Sequence, residues 1–213
     1  MKDLLYKEFR LARHETMFFF PLFAFMLLIP SYPYYVAFIY TGLEVFFIFQ
    51  NGLVNKDTLF TVMLPVRKRD VVKARCMMIV LIQLFQIAFA VPFAILRAGM
   101  TASVGLNGAG LEANVALFGC AFLMYALFNA LLLPIFYQDA HSAGKGLLIG
   151  GSAVMLFIAA VEATSFLMPG IDTIESAVQL RQIPFLALSM AVYAVGMVLT
   201  YKRSAKLFEK VDL

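Results

Sequence analysis

Among the polar residues inside long apolar stretches of the sequence, the candidates for a functional site are Glu44, Gln83, Gln86, Asn129 and Glu162. Gln83 and Gln86 are three residues apart, which places them on one face of a helix. If these stretches cross a membrane, an ionisable group there is costly and marks a functional site by default. All five are therefore candidates for lining a translocation path or for polar contacts within the membrane. For Glu162 the alternative is that it simply reaches the outer interface. The structural alternative is a protonated Glu44 that hydrogen-bonds to a neighbouring glutamine and holds helices together.

Other residue types that carry chemistry lack a catalytic or metal-binding arrangement. The two histidines, His14 and His141, have no partner at a metal-ligand spacing. The sequence contains no HExxH, no GxSxG and no Gly-rich phosphate loop. Cys76 and Cys120 are expected at different membrane depths, too far apart for a disulfide. The sequence therefore predicts no catalytic centre, bound metal or cofactor in this chain.

Composition indicates the medium in which the chain folds. Hydrophobic residues make up 62% of the chain and charged residues 14%, and the mean hydropathy is +0.87. A soluble domain is about half apolar and a quarter charged. The chain is therefore expected to be an integral membrane protein in contact with a lipid bilayer. The net charge of +4 does not indicate nucleic-acid binding, because the basic residues are distributed by membrane side.

The apolar stretches divide into six predicted transmembrane helices, each near the ~20 residues needed to cross a bilayer. They are residues 17–31, 34–54, 72–96, 113–137, 146–167 and 183–201. Residues 1–15 form a charged segment that we expect to be an amphipathic helix in the membrane interface. The outer segments are too short for an extracellular domain. We therefore expect an all-α protein with one transmembrane domain over residues 1–213.

The basic residues set the orientation. Of the 17 lysines and arginines, all but Arg97 and Arg181 fall on one side of the predicted helices. Cytoplasmic loops carry this excess. Both termini, including the basic tail at 202–213, are therefore predicted in the cytoplasm.

The densest charge lies in residues 64–75, between the second and third predicted helices. Pro65 cannot continue a helix that arrives from its N-terminal side. The residues after it offer one to two turns of new helix that carry an apolar pair, Val71 and Val72. We expect a short helix that docks a partner, formed by Pro65, Val66, Arg67, Lys68, Arg69, Asp70, Val71 and Val72. The alternative is a loop that merely follows the positive-inside rule.

Gly146 and Gly150 form a GxxxG pattern in the fifth predicted helix. Such spacing allows close helix contact. Self-association of two chains and packing within one bundle are equally consistent with it.

Three segments resemble the small permease subunits of bacterial type-2 ABC exporters. The stretch LPVRKRDVV at 64–72 is similar to the family's LPVSRKEIV coupling helix. The tail YKRSAKLFEKVDL at 201–213 and the start of the chain, residues 1–9, resemble the corresponding family segments. One departure is Arg67, which stands where the family often has a serine cap. Loss of such a cap costs about 0.5–2 kcal/mol.

The resemblance implies an exporter permease in the bacterial cytoplasmic membrane, with 64–75 coupling it to a separate ABC ATPase that binds ATP and Mg²⁺. It also implies a second permease copy or a paralogue. The apolar bundle favours an amphipathic peptide or a lipid-like substrate, as in exporters of peptide toxins and antimicrobial peptides. Two alternatives remain open: the membrane-embedded binding subunit of an uptake system, and a non-transporting scaffold or immunity protein.

Overall fold

The computed structural model describes residues 2–12, 17, 19–140, 143–167 and 172–211, and no strand occurs among them. A π-helical turn at Glu8–Ala12 continues the first helix, and a 3-10 helix spans Phe20–Leu28. The α-helices are α1 Lys2–Lys7, α2 Val36–Val54, α3 Asp57–Met63, α4 Lys68–Val104, α5 Val115–Asp139, α6 Gly144–Leu167 and α7 Ser176–Glu209. The all-helical fold class is confirmed.

Within the described ranges, five helices are long and apolar enough to cross a membrane: α2, α4, α5, α6 and α7. The longest, α4, has 37 residues and extends about 55 Å at ~1.5 Å per residue. It therefore exceeds the ~30 Å hydrocarbon layer and continues beyond it.

The first predicted transmembrane helix takes a different form. Its middle is the nine-residue 3-10 helix Phe20–Leu28, about 18 Å long at ~2.0 Å per residue. Pro21 lies at its start, and Ile29 leaves it in an extended conformation. Pro30 follows directly, and the residue before a proline is disfavoured in the helical region. The prolines thus keep this segment from forming a long α-helix.

The charged segment also differs from the expected short helix. Lys68 begins α4, which runs without interruption to Val104, so residues 67–75 are not a separate helix. The separate short helix is α3, which ends before Pro65. Arg67 is the N-cap residue of α4, and its side chain makes no capping hydrogen bond, as the missing serine predicts. No proline or glycine occurs between residues 67 and 91 to end the helix.

The centre of the bundle is α5, which packs most extensively against α7 and α6. In its most apolar stretch of 18 residues, 72% of the stretch is buried. The corresponding shares are 17% in α6 and 22% in α7. Gly146 and Gly150 lie against Leu132 and Phe128 of α5, where a β-carbon would approach within 3.1 and 3.2 Å. The GxxxG pattern therefore serves packing inside this bundle.

Both described ends of the chain lie where α4 begins, which we call the terminal end of the bundle. Glu8 contacts Arg75, and Glu209 contacts Arg69. The expected interfacial helix packs inward here: Leu5 and Phe9 lie against a buried cluster of Ile48, Met78 and Ile82. The opposite end, where α4 finishes near Val104, is called the far end.

Candidate functional site in three polar layers

A buried group of charges occupies the terminal end, and we call it the terminal-end ion cluster: Lys7, Glu8, Asp57 and Arg75. The Arg75 guanidinium contacts Glu8 through Nε and lies 2.6 Å from Asp57 Oδ2 through Nη2. Lys7 Nζ is 2.9 Å from Glu8 Oε1 and 2.8 Å from Asp57 Oδ1. The two cations and two anions balance, so no net charge is buried.

This cluster joins three segments that are separate in sequence. Lys7 and Glu8 belong to the N-terminal helical segment, Asp57 begins α3, and Arg75 lies on α4. Lys7 Nζ also donates to Thr61 Oγ1 on α3 at 2.8 Å. Burying ions is expensive unless their pairing is complete, and here every member contacts an opposite charge. The cluster therefore fixes α3 against α4 and sets the position of the connection between them.

We call residues 63–67, which make that connection, the tip. Its first two side chains are apolar. Met63 is 83% exposed and Leu64 is 40% exposed, although they lie beside charged residues. Val71 and Val72 are only 3% and 0% exposed. The expectation that the two valines anchor a partner is therefore wrong, because they face the interior of this chain. The exposed apolar side chains precede them.

A groove separates this tip from α1. Its volume is about 610 Å³, and charged residues from both walls line it, among them Asp3, Lys7, Arg67 and Asp70. The opposite side of the segment is tied to the chain's other end: Arg69 pairs with Glu209, and Lys68 Nζ donates to the Val211 carbonyl oxygen at 2.6 Å. The segment is thus tied to the chain's C-terminal segment on one side and faces the groove on the other, with its tip uncovered.

A second polar layer lies midway along the bundle. Asn129 Nδ2 donates to Gln83 Oε1 at 2.9 Å, and Gln83 Nε2 donates to Asn129 Oδ1 at 3.1 Å. Tyr193 Oη donates to the same Gln83 oxygen at 2.7 Å. These buried bonds join α4, α5 and α7. Gln86, on the same face as Gln83, donates to the Ala37 carbonyl oxygen of α2 at 3.4 Å.

Glu44 does not belong to this layer. It is 1% exposed, and its Oε1 has no hydrogen-bond partner among the described residues. The glutamines that were its expected partners bond elsewhere. The structure therefore does not support the interpretation that Glu44 holds the bundle together through a glutamine.

The third layer, at the far end, centres on Arg97, which is 0% exposed. Its guanidinium donates to Tyr34 Oη at 2.7 Å, to the Gly105 carbonyl oxygen at 2.7 Å and to Glu112 Oε1 at 3.0 Å. Glu112 also accepts from the backbone amides of Asn107 and Ala113. We call these residues (Tyr34, Arg97, Asn107 and Glu112) the far-end cluster. Its hydrogen bonds hold residues 105–114 over this end of the bundle, and we call these residues the plug.

Glu162 supports this plug. Its Oε1 accepts from the Leu111 amide at 3.2 Å. The neighbouring Gly110 has φ +146°, and a β-carbon there would fall 2.6 Å from Glu162 Oε1, so only glycine fits. Asp172 accepts from the Glu112 amide at 2.6 Å. Burial raises the pKa of Asp172 above its ordinary value, although that hydrogen bond acts against the shift.

The contacts of the three layers join helices and loops of this chain to one another. No group of three or more residues that could hold a metal ion occurs among the described residues. A family model described as ABC-2 family transporter protein matches residues 3–209. The chain belongs to the ABC-2 transporter family. No curated protein and no solved structure matches it.

With its apolar helices, this ABC-2 family member is a multi-pass transmembrane permease. Membership in the family implies an ABC ATPase partner in general. The polar layers are therefore features of a transmembrane permease. The LPV stretch at 64–66 lies between the end of α3 and the start of α4.

In this ABC-2 permease, sequence reasoning located the middle layer but not the layers at the two ends. Gln83 and Asn129 come together, whereas Glu44 and Glu162 lie apart from them. The missed residues are Lys7, Glu8, Asp57, Arg75, Arg97, Glu112 and Tyr193. The charged residues among them lie either near a predicted transmembrane-helix end or in the charged segment 1–15. A charge is ordinary in both places, so the sequence carried no signal of burial. His14 and His141 lie outside the described residues.

Proposed function

We propose that this chain is the membrane permease of an ATP-driven exporter in the cytoplasmic membrane of a bacterium, and that an ABC ATPase docks on the exposed tip at residues 63–67. The observation that carries this proposal is the pairing of an exposed apolar tip with a buried ion cluster behind it. Met63 and Leu64 are exposed, while Asp57 and Arg75 fix the two helices that flank them. A rigidly mounted tip transmits a push from a partner to α4.

The position of the N-terminal segment supports six membrane crossings and two cytoplasmic termini. Glu8 lies at Arg75, and Tyr34 lies at Arg97. These two arginines are on one helix, roughly 33 Å apart along its axis. The described residues Glu8 and Tyr34 are therefore separated along α4 by slightly more than the ~30 Å hydrocarbon layer. The broken N-terminal segment then serves as the sixth crossing.

The proposed exporter contains two permeases, either two copies of this chain or one copy and a paralogue, and two ATPases that bind ATP and Mg²⁺. The low burial of α6 and α7 leaves apolar surface for bilayer lipid and for a second permease. The substrate class that such apolar surfaces favour is an amphipathic peptide or a lipid-like molecule. We infer the direction of transport and the substrate class from the resemblance of residues 64–72 to the coupling helix of exporter permeases.

The docking proposal is tested by changing Met63 to Asp and measuring two quantities: retention of the ATPase in a pull-down and substrate-stimulated ATP hydrolysis. We expect both to fall, because a charge replaces an apolar anchor at the interface. The matched control is Leu106→Asp, since Leu106 is 58% exposed at the far end. Its complex should be retained like the wild type.

A second arm separates docking from folding. Val71→Ser changes a buried side chain, so it should lower the yield of folded permease while the folded fraction still binds the ATPase. Normal docking and normal stimulation by the Met63→Asp variant would overturn the proposed docking surface.

A further inference from the structure

An apolar pocket of about 640 Å³ lies between the 3-10 helix, α2 and α4. Its walls are aromatic and aliphatic, and among the described residues that line it the only ionisable one is Glu44: the others are Phe9, Met17, Pro21, Leu22, Leu81, Ile82, Phe85 and Phe89. Leu22, Leu81 and Phe85 are 47%, 47% and 57% exposed. The pocket therefore opens sideways, toward the surface that faces lipid.

The Glu44 carboxyl group has no hydrogen-bond or ion-pair partner within the described part of the fold. The residue is 1% exposed, and Oε1 is buried without a hydrogen-bond partner among the described residues. A buried acceptor without a partner loses its hydration and gains nothing in return, and the penalty is larger when the acceptor is charged. The other buried carboxylates described above, such as Glu8 and Glu112, each contact a cation. Glu44 therefore lacks, among the described residues, the cation partner that the other buried carboxylates have.

We propose that this pocket binds a membrane-dissolved amphiphile that carries a basic amine, with the amine on Glu44 and the apolar chain along Phe85 and Phe89. This inference rests on the proposed transport function and narrows it, because it names an amine as the substrate class. The binding itself requires no ATPase, so it is measured independently of docking.

An amine fits the carboxyl group in either protonation state. A carboxylate with an ammonium ion and a neutral acid with a neutral amine contain the same number of protons, so the pair forms without net charge in the apolar pocket. An anionic headgroup would instead place like charges together in a medium that screens them poorly. A hydroxyl headgroup donates one hydrogen bond but leaves a carboxylate uncompensated.

The shape of the pocket also favours a ligand with an extended alkyl chain over a compact ligand. Leu81 and Phe89 lie on one face of α4, about 12 Å apart along the helix axis. Phe85 and Phe89 stack with 5.9 Å between ring centroids, and together they form a continuous aromatic wall. An extended alkyl chain covers that wall, whereas a small polar solute contacts only its end.

The test uses the absence of tryptophan from the chain. The Phe85→Trp variant carries a single fluorescent reporter at the pocket mouth, in nanodiscs of choline lipids. Brominated dodecylamine and brominated dodecanol quench tryptophan on contact and share the same chain. The matched control is Leu148→Trp on α6. Leu148 is 71% exposed and borders a pocket whose lining contains no carboxyl group.

In the Phe85→Trp variant we expect the amine to reach half-maximal quenching at roughly a tenth of the alcohol concentration, which corresponds to about 1.4 kcal/mol. Adding Glu44→Gln to this reporter variant should remove the preference, because the amide has almost the same shape and no charge. Adding Glu44→Asp should keep it. In the Leu148→Trp control the two quenchers should act alike, since only partition into the bilayer matters there.

Equal preference for the amine in both reporter variants would overturn the proposal, and so would a preference that survives Glu44→Gln. A third arm adds ethanolamine lipid to the nanodiscs. Competition with the amine would identify bilayer lipid as a ligand of the same chemistry, and lack of competition would favour a transported amphiphile. Loss of ATPase docking by Met63→Asp with retained amine binding separates the two proposals.

Discussion

The two ends of the bundle bury charge in different ways. At the terminal end, Arg75 contacts two carboxylates from different segments, and Lys7 contacts the same two. At the far end, Arg97 has one carboxylate partner, Glu112, and the remaining bonds of both residues go to a tyrosine and to backbone groups. The first end is a network of side chains, and the second is a folded loop that side chains pin in place.

This difference suits different tasks. A network of side chains joins helices that are distant in sequence, so it fixes α3, α4 and the N-terminal helical segment together. A pinned loop covers one end, because hydrogen bonds between side chains and its backbone hold residues 105–114 as a unit. At the terminal end the partners of the buried arginine are charges on two separate segments, whereas at the far end the carboxylate and most of the backbone groups belong to one loop.

The largest effect is expected from Arg75→Leu. This change leaves Glu8 and Asp57 buried with only Lys7 between them, and breaking such a buried network costs about 3–5 kcal/mol. Thermal unfolding in detergent should show a large drop in midpoint, or no folded protein at all. Lys73→Leu is the control, because Lys73 is exposed on the same helix. Equal loss in both variants would contradict a special role for the cluster.

A smaller effect is expected from Arg97→Leu. Glu112 keeps two backbone donors after the arginine is removed, so the loss should lie at the lower end of the range for a broken buried ion pair, about 3 kcal/mol. The plug should loosen, with faster hydrogen exchange of the amides in 105–114. Arg181→Leu, at an exposed cation, should leave exchange unchanged. If Arg97→Leu proves as damaging as Arg75→Leu, the contrast between the two ends fails.

A pH-dependent effect is expected from Asp172 at the far end. Burial raises its pKa from the ordinary value of 3.8, so the folded state disfavours the charged carboxylate. This penalty is present at neutral pH and is relieved as the pH falls through the raised pKa. Asp172→Asn should therefore unfold at a higher temperature than the wild type at pH 7, and the difference should shrink toward about pH 4. A difference independent of pH would refute this assignment.

The smallest effect is expected from Arg69→Ala at the terminal end. The Arg69 side chain is 58% exposed, and that of its partner Glu209 is 40% exposed. Solvent-exposed ion pairs contribute little to the free energy of unfolding. The unfolding midpoint should remain unchanged within error. A measurable loss would show that the tie between α4 and the chain's C-terminal segment is stronger than its exposure indicates.

The medium, the helical class and most helix positions follow from the amino-acid sequence alone. Long apolar runs have few alternatives in a bilayer, since every backbone polar group must be satisfied within the segment. The predicted helices at 113–137 and 146–167 therefore agree with α5 and α6 within about two residues. Gln83 and Asn129 were recognisable for the same reason, because an amide inside such a run needs a partner.

Only the tertiary structure decided which charges are buried and which apolar residues are exposed. Arg75 and Arg97 lie near predicted helix ends, where a cation is normally solvated, and their carboxylate partners come from segments whose approach depends on packing. The same packing buried Val71 and Val72 and left Met63 exposed, because a continuous α4 turns the valines toward the bundle. Hydrophobicity along a chain gives depth in the membrane, but contact between segments sets the pairing of each side chain.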